Sequence, residues 1–115
     1  MLRLSCAALL LAACGGNNAT QTDAPAGATV AAVSCAGITP AASITTTGNA
    51  YTPATAAISV GGVVQFTMPS IHNVISTTPG LAVDFGATTC LRFTAAGTYN
   101  FKCSVHLFTG SITVN

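Results

Sequence analysis

From about residue 35 onward the sequence predicts an all-β domain, a sandwich or barrel, and three observations lead there. Thr, Val, Ile, Tyr and Phe dominate that stretch, the residue types that suit a pleated, half-buried surface. Gly, Pro and Asn interrupt it at short intervals, as turns between short strands do. Strict apolar alternation recurs, whereas no segment after the first few residues sustains a period of 3.6. Strands are expected at 43–47, 56–60, 63–67, 72–75, 89–94, 98–103 and 111–114. Gly61-Gly62 stands between the second and third, a hairpin signal. His72 opens the fourth after the loop Met68-Pro69-Ser70-Ile71. In the fifth the large apolar residues are Leu91 and Phe93, and Ala95-Ala96-Gly97 then turns the chain. In the sixth Tyr99, Phe101 and Cys103 share one face. The last is a short apolar strand, and no internal repeat is visible. Many short strands at this turn spacing mean a sandwich or barrel.

Composition narrows function before any motif does. The chain has 115 residues, a net charge of +1 and only 4% charged residues: Arg3, Asp23, Asp84, Arg92 and Lys102. A soluble domain ordinarily carries about 25%, so Thr, Ser, Asn, Gly and Ala must make this surface. No basic stripe exists to neutralise phosphates, which excludes nucleic-acid binding as a main role. Absent heptads and the scarcity of Glu and Lys exclude coiled coils and helical bundles. Beyond residue 23 the one acidic side chain is Asp84, and two-carboxylate catalysis needs two.

The N-terminus reads as an address. One positive charge and about ten apolar residues form a signal-peptide pattern, too short to span a bilayer. Leu11-Ala12-Ala13-Cys14 resembles the lipobox of bacterial lipoproteins, in which the chain is cut before the cysteine and its thiol is lipidated. The alternative is an ordinary secretory signal in which Cys14 is incidental. The expected organisation is a signal at 1–13, a flexible tether at 14–34 and a folded domain at 35–115. The tether stretch is small, polar and without apolar periodicity. A lipoprotein of this kind is extracytoplasmic, in the periplasm or on the cell surface, and touches the membrane through its lipid alone.

The five cysteines then divide by role. Cys6 leaves with the signal and Cys14 is consumed by lipid. Cys35, Cys90 and Cys103 remain, an odd number for an oxidising compartment. Of three pairings, the alternation favours Cys35 with Cys90. Leu91 and Phe93 turn Cys90 to the opposite side of its strand, where Cys35 could meet it and pin the incoming chain. That bridge closes a loop of about 55 residues, worth at most ~4 kcal/mol in the chain-entropy model. Cys103 is left free and inward-facing near a strand end.

The two histidines fall where they could join that thiol. His106 follows in Cys103-Ser104-Val105-His106, and His72 stands at the other strand end. A thiolate and two imidazoles form a His₂Cys set of the kind that suits copper electron transfer. The same set with a water is acceptable to zinc. A thiol nucleophile would need an orienting third group and an oxyanion site, and nothing places Asp84 beside a histidine, so an enzyme is not expected.

Residues 51–115 resemble the cupredoxins, the small blue-copper proteins of the plastocyanin and azurin type. The resemblance rests on Tyr51-Thr52-Pro53, the stretch Ile58 to Phe66, His72-Asn73-Val74, Gly97 to His106 and Gly110 to Val114, in that order. It implies a Greek-key sandwich or barrel of seven to eight strands. It implies a single copper ion on His72, Cys103 and His106, with His106 as the electron port. Asn73 would tie the loop of the first histidine to the loop of the cysteine, and the Ile71 carbonyl would lie where some relatives place a weak axial oxygen. The chain departs from the family pattern in one place: no Met follows His106, and Phe108 occupies the axial neighbourhood, where with Leu107 it reads as a lid against water. Met68 is the substitute donor to consider. The implied function is one-electron transfer by a monomer to a redox partner such as a cytochrome or oxidase. The alternatives are a non-redox copper module for storage, sensing or delivery, and a metal-free or zinc-binding β-domain.

Overall fold

The computed structural model describes residues 29–115, so the signal, Cys14 and most of the expected tether lie outside the described residues. Eight strands follow in order: β1 (Val30–Val33), β2 (Ala42–Thr46), β3 (Tyr51–Thr52), β4 (Thr55–Ile58), β5 (Val63–Thr67), β6 (Thr88–Phe93), β7 (Gly97–Lys102) and β8 (Thr109–Val114). Five form one sheet in the order β1-β6-β5-β2-β3, and three form the other in the order β4-β8-β7. No helix occurs among the described residues. The two sheets face each other as a sandwich, and the alternation supplies the core between them. Val64 and Phe66 of β5, Leu91 and Phe93 of β6, Tyr99 and Phe101 of β7, and Ile112 and Val114 of β8 are all buried in one cluster. Burying such side chains contributes about 1.5–3 kcal/mol each.

Three expectations change. The stretch 30–33 is not tether: it pairs antiparallel with β6 from Val30–Phe93 to Val33–Cys90, and Val30 is buried. Its Val-Ala-Ala-Val sequence has too little bulk to announce an edge strand, but its backbone completes the ladder of β6. Gly61-Gly62 is not a hairpin. The chain makes a turn there, with the Gly62 N–H donating to the Ser59 carbonyl at 2.9 Å, but β4 pairs in parallel with β8 and β5 pairs with β2 and β6. β4 and β5 belong to different sheets, so this turn carries the chain from one to the other. Finally, 72–75 is not a strand. His72, Asn73 and Val74 are buried in succession without a ladder, and only isolated bridges form, Val74 to Val83 and Ile75 to Lys102.

Cys35 and Cys90 are joined, with 5.4 Å between their Cα atoms. Cys90 points to the outer face of β6, away from Leu91 and Phe93, and the bridge ties the chain after β1 onto that face. Cys103 is a free, buried thiol. It lies just past the end of β7, in the short connection to β8.

Candidate metal centre

Two loops and one turn meet near the end of β7. The β7–β8 connection holds Cys103 and His106, the segment before Val74 holds His72, and the turn between β2 and β3 holds Gly48. Cys103 Sγ lies 3.8 Å from His72 Nδ1 and 3.9 Å from His106 Nδ1. The three donor atoms all fall within 4.8 Å of one another.

Each donor is held differently. His72 is 1% exposed, and its Nε2 lies 2.8 Å from the Gly48 carbonyl oxygen. A carbonyl can only accept, so Nε2 carries a proton, and Nδ1 is the ring nitrogen turned toward the sulfur. Gly48 has φ +59°, a left-handed conformation that glycine adopts without penalty. The Cys103 loop closes on itself: the Cys103 N–H donates to the Phe108 carbonyl, and the Leu107 N–H to the Cys103 carbonyl, both at 3.0 Å. Leu107 takes φ +62° to complete this turn, at about 1–2 kcal/mol for a side chain in that region. His106 lies on the exposed side of the turn.

Asn73 joins the two loops. Its Oδ1 accepts from the Ser104 N–H at 2.9 Å and from the Ser104 hydroxyl at 3.2 Å. The buried Tyr51 hydroxyl in turn donates to the Asn73 carbonyl at 2.7 Å. Burial of the Cys103 sulfur opposes ionisation, but the backbone of His106, Asn73 and Val105 and the His106 side chain hydrogen-bond to it and win, so the thiol is lowered from 9.0 to about 6. Burial, and then the Cys103 charge nearby, push the Tyr51 phenol well above its usual range. The sulfur is prepared as a thiolate while the neighbouring phenol stays neutral.

Phe108 is half-buried against the core. Its ring centroid lies 4.9 Å from that of His72 at a right angle, 6.5 Å from that of His106, and 4.6 Å from that of Tyr51. Ile71 precedes His72 with its side chain 59% exposed, and among the described residues its carbonyl accepts no backbone hydrogen bond. Met68 is buried in the hydrophobic core. Gly48, Tyr51 and Ser104 act on the site without having been singled out for it by sequence. Tyr51 and Ser104 lie in stretches that resemble the family, but a resemblance of that kind does not say which backbone group will be met.

The donors also fit a metal by size. Bonds of about 2.3 Å to sulfur and 2.0–2.1 Å to nitrogen, at the ~120° of a trigonal arrangement, would separate S and N by roughly 3.8 Å. The tetrahedral angle would bring them to roughly 3.6 Å. The observed sulfur–nitrogen separations of 3.8 and 3.9 Å are of this order, and all three donor atoms lie within 4.8 Å of one another.

An eight-stranded sandwich that brings a Cys-x-x-His loop against a buried histidine has the cupredoxin fold, and His72, Cys103 and His106 form a candidate type 1 copper site. No protein-family model matches the sequence, and no curated protein does so at a significant level. Among solved structures the chain is similar to amicyanin. The Cu(I) form of a methionine-to-glutamine mutant aligns with TM-score 0.61 and 21% identity, over 76% of this chain and 99% of that one. An oxidized methionine-to-leucine mutant gives TM-score 0.58 and 20% identity over the same shares. A reduced tryptophan-to-tyrosine mutant gives 0.56 and 22%, over 74% of this chain and 92% of that one. At these identities the likeness is one of fold.

Proposed function

We propose that this protein transfers single electrons through one copper ion held by His72, Cys103 and His106. The observation that carries this reading is the convergence of one thiol and two Nδ1 atoms on a common point, in a fold shared with amicyanin structures whose descriptions include a Cu(I) form. Copper supplies the redox chemistry, passing between Cu(I) and Cu(II) by loss or gain of one electron. The chain's part is to keep the donors still, so that neither oxidation state demands a rearrangement. The Gly48 carbonyl fixes the His72 ring, Asn73 locks the two loops together, and the closed β7–β8 turn fixes Cys103. His106 faces outward between Val105 and Leu107, which are 61% and 62% exposed. This apolar surround would let a redox protein approach the imidazole edge without long-range steering, since few charges are present to provide it.

The lipobox-like Leu11-Ala12-Ala13-Cys14 and the polar stretch after it support a further part of the reading: an extracytoplasmic lipoprotein tethered to a bacterial membrane through Cys14. The Cys35–Cys90 bridge agrees with an oxidising compartment.

Addition of Cu(II) to the purified protein is expected to give an intense blue thiolate-to-copper band that Cys103→Ser abolishes. A band of equal strength in that variant refutes the ligand assignment. For the anchor, intact mass should show cleavage before Cys14 with an added acyl mass, and cleavage elsewhere without it refutes the tether.

A further inference from the structure

We propose that the chain offers copper three side-chain donors and no fourth, and that the ring of Phe108 is the apolar wall beside them. This rests on the copper reading above and concerns what the site excludes.

Three observations support it. First, Phe108 stands beside all three ligand residues: its ring packs at a right angle against the His72 imidazole at 4.9 Å, its centroid lies 6.5 Å from that of His106, and its backbone carbonyl accepts from the Cys103 N–H. Tyr51 backs the ring at 4.6 Å, so it has little room to swing away. Second, the first donor atom beyond His106 faces elsewhere. Thr109 pairs with Lys102 at the start of β8 and its side chain is exposed, on the face opposite to Phe108 and Gly110. Gly110 belongs to the same arrangement, because a Cβ there would stand 2.6 Å from the ring of Phe101. The strand can begin this early, and put Phe108 rather than Thr109 inward, only because residue 110 has no side chain. Third, Met68, the one methionine among the described residues, is committed to the core.

Two consequences follow from elementary coordination chemistry. A fourth donor stabilises the electron-poor Cu(II) state more than Cu(I), so an apolar ring in its place raises the affinity ratio toward Cu(I) and with it the potential. A wall also denies the fourth position that a water on zinc would need, and denies entry to small anions.

The test uses the full chain and its Phe108→Leu, Phe108→Ala and Phe108→Met variants, loaded with Cu(II), titrated with azide and measured by voltammetry and X-ray absorption. Azide should leave the thiolate band of the native and Phe108→Leu proteins unchanged and shift that of Phe108→Ala. Phe108→Met should lower the potential by at least about 59 mV, a tenfold change in the Cu(I)/Cu(II) affinity ratio for one electron. Phe108→Leu keeps an apolar wall, so it preserves the comparison if the alanine variant folds poorly. A fourth protein donor at bonding distance in the native site, including the Ile71 carbonyl, overturns the inference while leaving the copper reading intact. So does an azide response of the native protein equal to that of Phe108→Ala. Failure of the folded native chain to take up copper overturns both.

Discussion

Two imidazoles serve one thiol, and the molecule holds them in opposite ways. His72 is buried, and its far nitrogen is spent on the Gly48 carbonyl. His106 is exposed, and among the described residues no hydrogen bond engages its far nitrogen. The first ring is part of the architecture, reached from two loops and backed by Phe108. The second is a surface group held by a turn that Cys103 and Phe108 close beneath it. A centre built this way has one side that anchors geometry and one side open to a partner.

The contrast can be broken most sharply by exchanging each ring for alanine. His72→Ala should abolish the blue band and also destabilise the metal-free protein. It leaves a hole where a ring only 1% exposed stood and removes the hydrogen bond to the Gly48 carbonyl, which alone contributes about 0.5–1.5 kcal/mol net. His106→Ala should abolish the band as completely, yet change metal-free stability by no more than about 0.5 kcal/mol. Free imidazole should restore colour to His106→Ala, because that position opens to solvent, and not to His72→Ala. Equal rescue of both, read by absorbance, would erase the distinction between anchor and port.

The second comparison sets the metal end against the disulfide on β6. Cys35→Ser should lower stability by up to ~4 kcal/mol in the chain-entropy model, seen as a shift in the denaturation midpoint, and leave the blue band in place. Loss of copper uptake in a folded Cys35→Ser protein would show that the bridge shapes the site after all.

Acid separates the two ends as well. The folded Cys103 thiol is lowered from 9.0 to about 6, so in the metal-free protein its ionised form adds stability that is complete above about pH 9 and is lost as pH falls toward 6. Cys103→Ser should flatten that slope, and Cys35→Ser should leave it unchanged. Chemical denaturation across this range would decide it.

What was readable in the sequence follows the same division. Side chains that carry their own chemistry, Cys103, His106 and His72, and side chains that alternate, such as Tyr99 and Phe101, announce themselves. Most strands were therefore legible to within a residue or two. Partners made of backbone were not. The Gly48 carbonyl meets His72 across 24 residues, and the Asn73 carbonyl meets Tyr51 across 22; a peptide oxygen has no residue type to mark it. The expected hairpin at Gly61-Gly62 failed for a related reason. A turn signal fixes where the chain bends, while the sheet each strand joins depends on which distant strand, here β8 or β6, offers an open edge. The edge strand β1 was missed because Val-Ala-Ala-Val has no bulk to signal burial, only a backbone to pair.

The link between the loops offers two finer tests. Asn73→Ala removes the acceptor for the Ser104 N–H and hydroxyl, a loss of about 1–3 kcal/mol. It should also broaden the thiolate band, because the Cys103 loop loses its tie to the His72 loop.

The smallest expected effect belongs to Tyr51, and it separates packing from hydrogen bonding. The ring of Tyr51 packs at 4.9 Å against Phe101 and 4.6 Å against Phe108, and Tyr51→Phe keeps both contacts. What is lost is one hydroxyl donating at 2.7 Å to the Asn73 carbonyl. A neutral buried hydrogen bond contributes about 1 kcal/mol net, and the stranded carbonyl adds to that figure only as far as water cannot reach it. The variant should therefore be about 1–2 kcal/mol less stable and should bind copper with an unchanged potential, since Asn73 still holds Ser104 through its side chain. The Tyr51 phenol stays neutral beside the Cys103 thiolate, so removing it takes no charge from the site. A potential that moves by as much in Tyr51→Phe as in Asn73→Ala would mean that the backbone of Asn73, and not its amide side chain, sets the position of the loop.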